Sequence, residues 1–124
     1  MSTRYVVAPV SELPDGGRLI VNVAGRSIGV FRVGDDYYAL RNRCPHAGGE
    51  LCRGRVVGRL ESERPGDYVH DLTRPLVACP WHGWEFDLAT GQSYVDPARL
   101  RVRAYPVAVE DDHVVLTLGS GRAD

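Results

Sequence analysis

Short runs rich in valine, isoleucine, tyrosine and phenylalanine recur along the chain, at residues 5–8, 19–23, 27–33, 37–40, 76–78, 102–109 and 113–118. β-Branched and aromatic side chains fit a pleated, half-buried surface, so these runs read as strands. Turn chemistry separates them: Pro14-Asp15-Gly16-Gly17, Ala24-Gly25, Gly34-Asp35-Asp36 and Glu110-Asp111-Asp112. That spacing predicts hairpins. One stretch, 96–100, combines an acidic residue with a following proline as a helix start would, and it is long enough for a single turn. The expected fold is all-β, an antiparallel sandwich or small barrel.

At 124 residues the chain can build one core, so residues 1–124 are expected to form a single domain. Hydrophobic residues make up 44% and charged residues 25%, values of a globular rather than a disordered protein. The net charge of −1 leaves no long-range positive field for phosphate backbones, which argues against nucleic acid as a partner. All 15 basic residues are arginine. Codon usage in a GC-rich genome accounts for this, although particular guanidiniums could still mark a docking surface, because their planar fork pairs bidentately with carboxylates. No apolar run has the length of a signal peptide or of the roughly 20 residues that span a bilayer, so the expectation is a cytoplasmic protein without a membrane contact.

Two stretches break the strand rhythm, 42–52 and 79–91, both crowded with cysteine, histidine, proline, glycine and tryptophan. By composition they are functional loops. Between them, residues 53–75 are polar and read as an insertion on the scaffold, least regular over 61–67. The tail, 119–124, is expected to fray.

Each loop holds one soft and one imidazole ligand: Cys44-Pro45-His46 in the first, Cys79-Pro80-Trp81-His82 in the second. The prolines and glycines around them set turns tight enough to aim both side chains inward. Two metals suit the set. Zinc accepts Cys2His2, but its common signatures pair cysteine with cysteine and histidine with histidine along the chain. A 2Fe-2S cluster with two cysteines on one iron and two histidines on the other also accepts it, each loop then serving both irons.

Cys-Pro-His-Ala-Gly-Gly and Cys-Pro-Trp-His-Gly-Trp-Glu-Phe-Asp resemble the two cluster-binding boxes of the Rieske 2Fe-2S ferredoxin family. The similarity extends to Val30-Phe31-Arg32 and Tyr37-Tyr38-Ala39-Leu40 before the first box, and to Ala89-Thr90-Gly91 and Arg103-Ala104-Tyr105-Pro106-Val107 after the second. The resemblance implies a Rieske-type sandwich with a two-loop cluster-binding subdomain, and one 2Fe-2S cluster per chain on Cys44, His46, Cys79 and His82. It also implies that His46 and His82 sit at the tip, where a partner would dock, with Trp81 either shielding the cluster or packing the loop.

High-potential members of that family carry a serine and a tyrosine two and four residues after the second histidine, whose hydroxyls bond the cluster sulfurs, and a disulfide bracing the loops. Here the matching positions are Trp84 and Phe86, and Gly49 and Trp81. Without those donors the reduced cluster is less stabilised, so the resemblance implies a potential on the order of −150 mV, at the low end of the Rieske range. Each ligating imidazole keeps a proton on its other nitrogen, made more acidic by the metal. With a low potential, proton coupling is expected only above neutral pH; a midpoint potential that fell steadily between about pH 6 and 7 would contradict the assignment.

A low potential suits a ferredoxin component that passes single electrons from an NAD(P)H-dependent flavoprotein reductase to a terminal oxygenase. A second reading is the small subunit of an NAD(P)H-dependent nitrite reductase, whose large subunit would be the partner. A third is a zinc-binding interaction module. Catalysis on this chain is not expected, because the family's oxygenase subunits carry a separate mononuclear iron domain. Cys52 lies close to the first box, but the quartet is complete without it and a packing role is expected. His70 and His113 have no partner at ligand spacing. The 32 residues between His46 and Cys79 exceed the family's usual interval, and the added length is read as a hairpin beside the cluster or as a plain surface excursion.

Overall fold

The computed structural model describes residues 2–45, 49–64, 67–80, 84–93 and 100–119, with the backbone alone for residue 2 and for 58–74. Among the described residues ten strands form three antiparallel sheets. The first sheet has the order β1 (Ser2–Pro9), β10 (His113–Gly119), β9 (Val107–Glu110). The second runs β2 (Arg18–Val23), β3 (Arg26–Val33), β4 (Asp36–Arg41), β8 (Ala104–Tyr105). The third runs β5 (Arg55–Arg64), β6 (Asp67–Ala78), β7 (Glu85–Asp87). Among the described residues no α-helix occurs, and none is long and apolar enough to cross a membrane.

The hairpins follow from their turn residues. Val23 pairs with Arg26 and Glu110 with His113, leaving two-residue loops in which Ala24 and Gly25, and Asp111 and Asp112, all have positive φ. That is the type I′ geometry whose twist matches paired strands. Between β3 and β4, Gly34 supplies the positive φ at the first loop position.

Strand β3 is buried on both faces, and its two-residue period sorts side chains into two cores. Ile28 and Val30 join Leu13, Ala39, Tyr105, Val114, Leu116 and Leu118 between the first two sheets. Phe31 instead joins Leu40, Leu51, Val77, Phe86, Leu88 and Val102, the core shared with the third sheet. That second core contains all three cysteines.

The structure corrects the strand expected over 102–109. The chain makes β8 with the second sheet and β9 with the first, crossing between them at Pro106. Proline has no N–H to donate, so a ladder cannot continue through it, while its carbonyl still accepts from Thr117 N–H at 3.0 Å. The stretch 53–75 is a hairpin rather than a plain excursion: β5 and β6 pair from Arg55 with Ala78 to Arg64 with Asp67. The register jumps at Gly58, where Val57 pairs with Leu76 and Arg59 with Asp71, so Pro75 falls in the unpaired bulge. The single helical turn expected over 96–100 lies, except for Leu100, outside the described residues, as does the tail from 120 onward.

Candidate metal centre

Both cysteine loops are closed the same way. The Cys44 N–H donates to the Gly49 carbonyl at 2.8 Å, and the Cys79 N–H donates to the Trp84 carbonyl at 2.7 Å. In each case a cysteine amide is tied to the carbonyl five residues on, and the histidine of that box falls inside the closed segment. Cys44 and Cys79 form no disulfide and are fully or almost fully buried in one core. His46, Trp81 and His82 lie outside the described residues. Among the described residues no group of three or more potential ligands converges, so the described part of the site is the thiol pair.

The surroundings of that pair are apolar. Phe86 and Leu51 are buried in the same cluster, and Trp84 packs against it half-buried. Phe86 has no hydroxyl to offer, and the indole of Trp84 carries an N–H in its place. The lack of hydroxyl donors expected from the sequence is therefore a property of side chains that line this core.

Two residues that the sequence reading passed over fix the loops to the scaffold. Buried Asn42 receives the Cys52 N–H on its Oδ1 at 2.8 Å, and its Nδ2 donates to Ser27 Oγ at 3.1 Å. Its own N–H donates to the Ser27 carbonyl at 2.8 Å. Asn42 thus holds the exit of the first loop against β3; an asparagine at the end of a strand is a turn signal that could have been read. Arg18 Nη1 donates to the carbonyls of Cys52, at 2.8 Å, and Gly54, and its guanidinium lies over the Phe31 ring, 5.4 Å from its centroid. These carbonyls end the 3-10 turn Leu51–Arg53 that follows the first loop. No local signal links Arg18 to residues 34 and 36 positions away.

Cys52 is not part of the thiol pair's loops. Its Sγ bonds to the Leu40 carbonyl at 3.5 Å, and it packs so closely on Gly29 that a Cβ there would come within 2.5 Å of the sulfur. Burial pushes the thiol up from the ordinary 9.0 to about 12, against smaller lowering effects of the Gly29 backbone and the Arg18 charge. The thiol therefore stays protonated in the folded protein while an unfolded chain would ionise it near pH 9. The folded state then binds more protons, so this contribution is intact below pH 9 and is lost as pH rises toward 12, at up to about 1.4 kcal/mol per unit. Urea unfolding midpoints are expected to fall over that window less steeply for Cys52→Ala than for the parent protein. Equal slopes would show that Cys52 is not so shielded.

Two matched, closed loops, each contributing one buried cysteine, are thus carried by a three-sheet antiparallel sandwich. Residues 3–106 match the family model of the Rieske [2Fe-2S] domain, and the chain belongs to that family. A domain of this family implies a 2Fe-2S cluster. The 3-phenylpropionate/cinnamic acid dioxygenase ferredoxin subunit of Escherichia coli K12 is 30% identical over 115 residues, covering 93% of each chain. The ferredoxin of carbazole 1,9a-dioxygenase from Nocardioides aromaticivorans superposes with a TM-score of 0.70 at 31% identity, over 92% of this chain and 96% of the other. A Mycobacterium tuberculosis protein assigned as the small subunit of an NADH-dependent nitrite reductase has a TM-score of 0.77 at 23% identity, over 98% and 99%, and is similar in fold.

Proposed function

We propose that this protein is the ferredoxin component of an oxygenase system, carrying single electrons from an NAD(P)H-dependent flavoprotein reductase to a terminal oxygenase in the cytoplasm and catalysing no reaction itself. The observation that carries the reading is the pair of loops, each with its cysteine amide tied to the carbonyl five residues on, which brings Cys44 and Cys79 into one buried core. Full-length similarity to ferredoxin components of dioxygenase systems supports it.

The ligands in this reading are Cys44, His46, Cys79 and His82, for one cluster on a single domain. The donor set fits: two buried cysteines outside any disulfide supply the soft ligands, and in the sequence one histidine follows each of them within its box. When bound, a 2Fe-2S cluster takes up and returns one electron. The chain's own residues hold the loops, through Arg18 and Asn42, and keep water from the thiols with Leu51, Phe86 and Leu88. An apolar surround with no hydroxyl from Phe86 leaves added negative charge poorly stabilised, so the potential belongs at the low end of the Rieske range. Phe86→Tyr is expected to move the midpoint in the positive direction, measured by a redox titration followed in the visible spectrum; an unchanged or lower value would remove this account.

The nitrite reductase reading is favoured by the TM-score of 0.77 to the Mycobacterium protein, a likeness of fold. The test that decides whether either stands is metal and acid-labile sulfide analysis with EPR of the dithionite-reduced protein. A Rieske signal with iron and sulfide in equal amounts is expected. A colourless protein containing zinc would overturn both readings.

A further inference from the structure

We propose that the end of the molecule carrying the cysteine loops is an arginine-rimmed docking face that recognises the acidic surface of a redox partner; this rests on the electron-carrier reading above. The net charge of −1 conceals a segregation of charge along the strands.

Strand β4 starts at Asp36 and ends at Arg41, and Cys44 follows three residues later. Exposed Glu12, Asp15, Asp35, Asp36, Asp111 and Asp112 gather at the starting end. There Asp15 Oδ1 accepts from Gly34 N–H at 2.6 Å and the Asp112 carbonyl accepts from Val10 N–H at 2.9 Å, which joins the three turns. Arg32 also lies there, 3.9 Å from Asp35.

The opposite end carries the other sign. The first loop is entered through Arg41 and exposed Arg43, and left through exposed Arg53 and Arg55. Arg55 stands opposite Ala78, the residue before Cys79. Exposed Arg103 lies opposite Arg41, whose N–H donates to the Arg103 carbonyl at 2.9 Å, and Gly119 at the far end of β10 lies beside the Arg103 guanidinium. Arg41 Nη1 is buried with no hydrogen-bond partner among the described residues. The carboxylates described at this end are Glu50, paired with Arg53 at 3.0 Å, and half-buried Glu85.

The two groups are separated by the length of β4, about 17 Å at 3.3–3.4 Å per residue. That is twice the ~8 Å Debye length at physiological ionic strength. A partner meeting the loop end is therefore screened from the acidic end and meets a positive surface. Guanidiniums pair bidentately with carboxylates, so the complementary face is rich in aspartate and glutamate.

The test reads the sign of charge at the electron's exit with small oxidants. Dithionite-reduced protein, freed of excess reductant, is mixed in a stopped flow with anionic Co(III)EDTA or cationic cobalt(III) hexaammine, each cobalt taking one electron from the protein to become Co(II). Between about 0.1 M salt, where a Debye length of ~10 Å already screens the acidic end, and about 1 M the rate with the anion is expected to fall roughly threefold and the rate with the cation to rise. The Arg43→Glu/Arg55→Glu variant should reverse both trends at unchanged iron content and EPR signal, whereas Asp35→Lys should leave them as they are. A rate with the anion that is flat or rises with salt, or a charge-reversed variant indistinguishable from the parent, overturns the docking face while leaving the carrier reading intact. Retardation of a DNA duplex at about 0.15 M salt would overturn the choice of a protein partner. Absence of a cluster signal in the starting sample would bring down the carrier reading, and the docking face with it.

Discussion

Replacing Cys79 or Cys44 with serine is expected to reduce bound iron and sulfide to below about a tenth of the parent protein's content, because the soft thiolate is what an iron–sulfur cluster binds. A serine hydroxyl has the size of the thiol but neither its softness nor its acidity. The third cysteine cannot substitute. Cys52 shares the core, yet its sulfur is engaged with the Leu40 carbonyl and burial raises its pKa to about 12, so it keeps the proton that a ligand must lose. Cys52→Ala is accordingly expected to retain the cluster and to lose only packing. Because a metal site forms with the fold, the serine variants should also melt at lower temperature than the parent protein. Iron analysis, the visible spectrum and a thermal melt check all three variants. Retention of the cluster in Cys79→Ser, or its loss in Cys52→Ala, would exchange the roles assigned to these thiols.

The parts of the fold legible in the sequence are those whose causes are local. Strands β2, β3, β4 and β10 fall where the β-branched runs fall, and the turns at Ala24-Gly25, Gly34 and Asp111-Asp112 adopt the positive φ their residues tolerate. Strands β5 and β7 escaped notice because their stability comes from partners: Arg55–Arg64 is polar and is a strand through its pairing with β6, and Glu85–Asp87 is three residues at the edge of a loop. Pro106 was legible in principle, since an interrupted N–H ladder follows from the residue itself.

For the site, residue type was the signal: it singled out Cys44 and Cys79, which the structure brings into one core. The residues that hold the loops were missed for opposite reasons. Asn42 is adjacent to the first box and binds the amide of Cys52 by a local turn-like bond, whereas Arg18 acts across 34 residues through carbonyls that any sequence would provide. Backbone acceptors leave no trace in composition. The charge segregation along β4 was hidden for a related reason: a net charge near zero sums over ends that only the folded strand separates.

Gly54→Ala should be among the most damaging single-methyl changes at the described glycines. Gly54 has φ −73, an ordinary value, so backbone strain is not the issue. Its cost lies in close approach: an added Cβ would fall on the carbonyl oxygen of Ala78 and within 2.8 Å of the carbonyl carbon. Both neighbours are backbone, and neither can rotate aside. Relief requires β5 to part from β6 where Arg55 pairs with Ala78, one residue before Cys79. It also shifts the Gly54 carbonyl that Arg18 holds, so the first loop and the second move together. The expected loss is about 3 kcal/mol, the upper end of overpacking costs. By contrast, Gly25→Ala meets nothing within 4 Å and bears only the strain of φ +79, about 1 kcal/mol. Chemical denaturation of the two variants should separate them by that margin. Cluster loss on standing in air should be faster for Gly54→Ala and unchanged for Gly25→Ala, because only the former disturbs the span that joins the two thiols. Equal stabilities would mean that β5 and β6 can part at Ala78 without consequence, and that the loops are held by the Asn42 and Arg18 bonds alone.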